Sequence, residues 1–86
     1  MQIIYFSGSW CKPCKAFLPI VQKVCNDLGL SFTLYDTEQD TKIFREYDIK
    51  SIPVLIAMDE KGSHILRFTN PVPEQVLYNA LEKFIS

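Results

Sequence analysis

Two cysteines separated by two residues, Cys11 and Cys14, constrain the fold of this chain more than any other feature. An apolar run at residues 3–6 precedes them and predicts a buried strand. Residues 16–28 carry apolar side chains at three- and four-residue spacing and predict a helix. The pair therefore lies where a strand passes into a helix, with the first sulfur at the helix N-terminus. Unpaired N–H groups and the helix dipole favour a thiolate there.

Composition excludes several classes of protein. The chain has 86 residues and a net charge of -1, with no basic stripe, so we expect a single domain, 1–86, that binds no nucleic acid. No run of eighteen apolar residues predicts a membrane span, and residues 1–5 do not resemble a signal peptide. Three cysteines are too few for a disulfide framework. These features predict a cytoplasmic monomer.

The pattern of apolar residues predicts the element order β-α-β-α-β-β-α. We expect strands at residues 2–7, 31–36, 54–58 and 64–68, with the third central because it is entirely apolar. We expect a short helix over residues 38–47 and a last helix opened by Pro71 and Pro73, with Val76 on its buried side. Two β-α-β-type crossovers followed by a hairpin and a helix predict an α/β fold with a four-stranded mixed sheet and helices on both faces.

The cysteine pair predicts thiol–disulfide exchange. Cys11 is the candidate nucleophile and is expected to be the exposed member, with Lys12 and Lys15 nearby to favour negative charge. Cys14 lies on the buried side and is the candidate resolving thiol, while Pro13 suits the first helical turn. The Cys11 thiolate attacks a target disulfide, and Cys14 then attacks Cys11 to release the reduced target. This chemistry requires no cofactor.

A zinc site is the main structural alternative for the motif. It needs four ligands, and only Cys25 and His64 remain to complete one. Cys25 lies three helical turns from Cys14, too far to share a metal, so we predict no metal and a buried structural role for Cys25. His64 is expected to be solvated. Pro53 precedes the central strand and indicates either a simple strand boundary or a cis bond after Ile52.

Three segments together resemble the thioredoxin family: residues 10–15, Pro19 in the following helix, and residues 47–53. The first is similar to W-C-G-P-C-K and the last to Y-x-I-x-x-I-P, and the resemblance covers residues 3–84. It implies a thioredoxin-like fold, a cis bond at Pro53 facing the cysteines, and an apolar docking surface for disulfide-containing client proteins, formed by Trp10, Ile52 and Pro53. It also implies an electron donor resembling thioredoxin reductase.

Four positions depart from the family pattern. Lys12 replaces a glycine and adds a positive charge between the cysteines, which favours the thiolate and a more oxidising potential. Tyr5 aligns with the buried acid of thioredoxins, and Leu34 aligns with its lysine partner, so the usual proton acceptor for Cys14 is absent. Asn70 stands in place of a glycine on the substrate loop, where we expect it to alter the client surface.

The leading hypothesis is a reductase of protein disulfides. One alternative is a glutaredoxin-like enzyme that uses glutathione; Trp10, the Lys12–Pro13 pair and the absence of a Gly-Gly motif after the third strand argue against it. Another is a redoxin-fold binding subunit of a partner enzyme, since fold does not determine function. An oxidase or isomerase acting in the opposite direction stays open, because direction depends on the reduction potential.

Overall fold

A four-stranded sheet forms the centre of the computed structural model, which describes residues 1–63 and 65–85. Its strands are β1 (Gln2–Ser7), β2 (Thr33–Asp36), β3 (Val54–Met58) and β4 (Ile65–Phe68), arranged in the order β2-β1-β3-β4. β1 pairs in parallel with β2 and antiparallel with β3, and β3 pairs antiparallel with β4. The predicted mixed sheet is confirmed, with β3 one of its two central strands.

Three helices complete the predicted element order. They are α1 (Lys12–Asp27), α2 (Thr41–Glu46) and α3 (Glu74–Ile85). α1 ends before Gly29, whose φ of 69° is the left-handed conformation that glycine adopts without strain after a helix. Within the described part of the chain, no helix is both long and apolar enough to cross a membrane.

The two faces of the sheet bury two separate sets of side chains. Because successive residues of a strand point to opposite faces, Ile3 and Tyr5 of β1 lie on one side while Ile4 and Phe6 lie on the other. The first side packs against α1 and α3 through a buried cluster completed by Phe17, Val21, Val24, Cys25, Leu55, Ala57, Leu77 and Leu81. The second packs against α2 through Phe44, Val54 and Ile56. Helices therefore cover both faces, as predicted.

Several boundaries differ from those predicted. α1 begins at Lys12, so the cysteine motif opens the helix and its periodic apolar segment follows from residue 16. β2 begins at Thr33 rather than residue 31. α2 begins at Thr41 because a turn precedes it, in which Asp36 N–H donates to Asp40 Oδ2 at 2.9 Å and Glu38 N–H to Asp36 Oδ1 at 2.8 Å.

Two features of the packing were predicted wrongly. Only the first crossover joins parallel strands, since β3 runs antiparallel to β1 and therefore opposite to β2. Val76 is 47% exposed, because Leu77 and Leu81 carry the buried side of α3. The predicted start of the fourth strand, His64, lies outside the described residues, as does its predicted solvation.

Candidate active site

The cysteine pair lies at the first turn of α1, directly after the strand β1. Cys11 is the N-cap residue, and Cys14 is the third residue of the helix. The two sulfurs form a disulfide across a Cα–Cα distance of 5.3 Å. The N–H of Cys14 donates to Cys11 Sγ at 3.2 Å, so the first sulfur takes the place of an N-cap oxygen. The predicted location of the first sulfur at a helix N-terminus is confirmed.

The expected exposure of Cys11 is wrong. Its exposed fraction is 4%, and that of Cys14 is 0%. Cys11 turns inward because its side chain folds over the first turn of the helix to meet the N–H of Cys14. Only a small part of the Cys11 surface therefore faces solvent.

The charges around the pair are positive. Lys12 and Lys15 are both exposed on the first turn of α1, and that turn carries no acidic residue. Pro13 is also exposed and lies at the start of the helix, where its missing N–H would have no partner. The helix N-terminus and the two lysines all favour negative charge on Cys11 once the disulfide is reduced.

Tyr5 is the polar side chain of β1 that reaches the pair. It is fully buried, and its hydroxyl donates to the carbonyl oxygen of Cys14 at 2.7 Å. Burial raises the pKa of Tyr5 to about 12, so the hydroxyl stays protonated at neutral pH. Phe17 and Phe32 surround its ring, whereas Leu34 is 44% exposed on the edge strand. The apolar pattern gave no signal for this contact, whereas the alignment of Tyr5 with the buried acid of thioredoxins implied a position near Cys14.

The peptide bond between Ile52 and Pro53 is cis, as the family resemblance implies. Pro53 is buried and Ile52 is half-buried, and both precede β3. The pairing between β1 and β3 ends at Phe6 and Val54. The backbone of Ile52 therefore lies outside that pairing.

A groove of about 310 Å³ lies beside Trp10 and brings two of the predicted docking residues together. Trp10 is 64% exposed, so its large apolar surface faces solvent next to Cys11. The residues that line the groove come from four places in the chain: Trp10, Thr37, Phe44, and Ile49, Lys50, Ser51 and Ile52. Asn70 is exposed in the segment between β4 and α3, and its part in client binding stays a prediction.

Gly8 is a residue of this region that the sequence patterns did not indicate. A methyl group at its Cα would lie 2.8 Å from Ile52 Cδ1, 3.2 Å from Thr37 Cγ2 and 3.3 Å from Trp10 Cε2. Thr37 reaches this point because β1 and β2 are parallel, and its N–H donates to the carbonyl of Ser7 at 3.0 Å. The carboxyl ends of these strands therefore meet beneath the groove.

A second contact missed by the sequence patterns supports the segment that leads to Pro53. Arg67 of β4 donates from its guanidinium to the carbonyl oxygens of Tyr47 at 3.1 Å and Asp48 at 3.4 Å. Asp48 has a φ of 54°, a left-handed conformation that turns the chain out of α2. These contacts join the edge of the sheet to the start of the loop that carries Ile52.

Cys25 lies apart from the pair, toward the other end of α1. It is a free thiol, 1% exposed, and desolvation raises its pKa to about 11. A depression of about 580 Å³ lies over this end of the helix, larger than the groove beside Trp10 but away from the cysteine pair. Among residues 1–63 and 65–85, no group of three or more His, Cys, Asp or Glu side chains could hold a metal ion.

A buried strand that ends at a disulfide-forming pair, with the first sulfur capping a helix, defines a dithiol–disulfide redox protein. The family model described as Thioredoxin matches residues 1–83. The chain belongs to the thioredoxin family. This family acts on disulfide substrates with electrons from reductase donors.

Individual relatives agree with this assignment. The chain is 32% identical over 82 residues to thioredoxin Y, chloroplastic, of Oryza sativa subsp. japonica, covering 93% of this chain but 48% of the rice protein. It is 29% identical over 86 residues to a thioredoxin of Pyropia yezoensis, covering 98% of this chain and 79% of that protein. The chain thus spans about half the length of the rice relative.

The fold is also that of a solved structure. Thioredoxin 1 of Thermosipho africanus superposes with a TM-score of 0.87 at 24% identity, over 99% of this chain and 94% of that one. At this identity the likeness shows the fold alone.

Proposed function

We propose that this protein reduces disulfide bonds of client proteins, with Cys11 as the attacking and Cys14 as the resolving thiol. The observation that carries this proposal is the hydrogen bond from the N–H of Cys14 to Cys11 Sγ at 3.2 Å. This contact supports Cys11 as the attacking thiol, because a helix N-terminus stabilises negative charge on a sulfur that accepts its N–H groups. Cys14 has no such donor recorded and lies within disulfide distance of Cys11.

The proposed reaction is a balanced exchange of two disulfides. The Cys11 thiolate attacks one sulfur of the client disulfide, forms a mixed disulfide and expels the other client sulfur as a thiolate, which takes up a proton. Cys14 then loses its proton and attacks Cys11, which releases the second client thiolate and leaves the Cys11–Cys14 disulfide. The second step is fast because Cys14 is held beside Cys11 and acts at high effective concentration.

The client is proposed to dock on the apolar surface around the pair. Trp10 is 64% exposed and shares a groove with Ile52, and Pro53 follows Ile52 through the cis bond. An extended client segment would pair with the free backbone of Ile52 while its side chains contact Trp10. Asn70 is proposed to contact the client from the loop before α3.

The donor and the cellular setting are also proposals. A flavoenzyme resembling thioredoxin reductase is proposed to return two electrons to the Cys11–Cys14 disulfide. A reducing compartment such as the cytoplasm is compatible with the free thiol of Cys25. The protein is proposed to act as a monomer and without a cofactor of its own, since both redox sulfurs lie on one chain.

Trapping of mixed disulfides tests the assignment of the two thiols. Cys14→Ser is expected to accumulate a mixed disulfide with a disulfide-containing protein such as insulin, because attack proceeds and resolution does not. Cys11→Ser is expected to trap none. Cys25→Ser provides the matched control, since it makes the same change at a thiol outside the pair and is expected to leave turnover unchanged. Equal trapping by Cys11→Ser and Cys14→Ser would contradict the assignment.

Coupled assays separate the proposed donor from glutathione. We expect reduction of insulin with NADPH and a thioredoxin reductase to proceed faster than with glutathione and glutathione reductase at equal protein concentration. Turnover with glutathione alone would show that the chain acts as a glutaredoxin-like enzyme.

A further inference from the structure

Tyr5 makes a buried hydrogen bond to the backbone of the resolving cysteine. Its hydroxyl donates to the carbonyl oxygen of Cys14 at 2.7 Å, and both residues have an exposed fraction of 0%. A hydrogen bond of this kind is shielded from competing water, so losing one partner costs more than it would at the surface. This bond joins β1 directly to the first turn of α1.

The position of the Tyr5 hydroxyl is itself fixed. The backbone of Tyr5 is paired on both sides, opposite Leu34 of β2 and Leu55 of β3. Its ring makes edge-on contacts with Phe17 at 6.0 Å and Phe32 at 6.4 Å between centroids. The hydroxyl therefore has little freedom to follow Cys14 if that residue shifts.

Cys14 is held at both ends of its backbone. Its N–H donates to Cys11 Sγ and its carbonyl accepts from Tyr5. When the disulfide is reduced, the bond between the sulfurs is lost, but the contact with Tyr5 does not depend on it. Because burial keeps the pKa of Tyr5 near 12, the hydroxyl is a donor at neutral pH and not a base.

We propose that Tyr5 is a positioning residue for the second step of the reaction, holding the backbone of Cys14 so that its sulfur faces Cys11. This inference rests on the proposed roles of the two thiols. It predicts that Tyr5 affects the resolution of the mixed disulfide and leaves the attack of Cys11 unchanged.

The two steps can be followed separately with the chromogenic disulfide dithionitrobenzoate and an excess of reduced protein. Attack by Cys11 breaks the reagent's disulfide, forms a mixed disulfide and releases one thionitrobenzoate. Attack by Cys14 on Cys11 then releases the second and leaves the protein disulfide. For Tyr5→Phe we expect the second phase to slow by about five-fold, the factor of one hydrogen bond of ordinary strength, with the first phase unchanged.

The equilibrium between the dithiol and disulfide forms of Tyr5→Phe provides a second readout. A misplaced Cys14 has a lower effective concentration toward Cys11, so the equilibrium constant for forming the internal disulfide against glutathione is expected to fall by a similar factor. A purely structural role for Tyr5 would lower the stability of the fold without changing this constant or the ratio of the two phases.

Two controls keep the test decisive. Tyr35→Phe removes the same hydroxyl from the other face of the sheet, where its ring contacts Phe6, and is expected to change neither phase. Val21→Ala leaves a cavity in the cluster that contains Tyr5 and destabilises the fold while retaining the hydrogen bond. If Val21→Ala slows the second phase as much as Tyr5→Phe, or if Tyr5→Phe slows both phases equally, the inference is overturned. If the wild-type protein shows no second phase, the proposed roles of the thiols fail instead.

Discussion

The two ends of α1 place cysteines in opposite chemical environments. Cys11 and Cys25 are almost equally buried, with exposed fractions of 4% and 1%. Cys11 caps the helix, accepts a backbone N–H and has Lys12 beside it. Cys25 lies near the other end, among apolar side chains of the main cluster, and desolvation raises its pKa to about 11.

This difference predicts that location along the helix, rather than burial, determines which thiol is reactive. Burial alone opposes the thiolate at any cysteine. At Cys11 the unpaired amides and the positive end of the helix dipole oppose the cost of burying a thiolate. At Cys25 desolvation is the cause of the raised pKa. One helix is therefore expected to supply both a redox centre and an unreactive packing thiol.

The largest expected effect is on alkylation of the reduced protein at neutral pH. With a pKa of about 11, Cys25 has a thiolate fraction on the order of 10⁻⁴ at pH 7. We expect iodoacetamide to modify Cys11 at least on the order of 10³ times faster than Cys25, as measured by mass spectrometry of the digested protein. In denaturant the difference should largely disappear. Similar rates for the two thiols in the native protein would contradict the comparison.

The next effect is on stability at alkaline pH. The Cys25 thiol ionises near pH 9.0 when unfolded and near 11 when folded, so its contribution is complete below pH 9.0 and declines as the pH rises toward 11. Over this window the oxidised protein should lose about 2 kcal/mol of unfolding free energy through Cys25. Urea unfolding of wild type and Cys25→Ala measures this, since the variant lacks that part of the decline. If the unfolding free energies of the two proteins fall in parallel as the pH rises, Cys25 makes no such contribution.

The smallest expected effect is that of the charge beside Cys11 on the rate of Cys11 alkylation. Lys12→Glu places a negative charge next to the attacking sulfur, so we expect alkylation of Cys11 to slow by about ten-fold at low salt and less at high salt. Cys25 should be unaffected. Lys42→Glu makes the same change at an exposed position of α2 and is the matched control. An equal effect of both variants would mean that net charge, and not local charge, governs the reaction.

Much of the fold could be predicted because its signals are local. Residues 54–58 are entirely apolar between Pro53 and Asp59, and β3 has these bounds. The start of α2 could not be predicted in the same way, since Asp36, Thr37 and Asp40 are all good N-cap residues. Hydrogen bonds of the turn before the helix select Asp40, and they depend on how the chain leaves β2.

The site was predictable where it follows the chain and where the family resemblance applies, as for Trp10 and Ile52, which share a groove. The spacing of Cys11 and Cys14 indicated a dithiol at a helix N-terminus, and the geometry of the pair agrees. The contact of Tyr5 with Cys14 depends on how α1 packs on the sheet. Burial of Cys11 follows from the turn of its side chain toward the N–H of Cys14, which the spacing of the cysteines does not determine, and for this reason its exposure was predicted wrongly.

The crowding around Gly8 has a consequence for how this surface can vary between related chains. Side chains from three separate parts of the chain, Ile52, Thr37 and Trp10, converge on a single hydrogen atom of Gly8. A side chain at position 8 would have to be matched by a shorter one at Ile52, as in Gly8→Ala combined with Ile52→Val. If clients dock here as proposed, changes in client preference at this end of the molecule are coupled across distant parts of the chain.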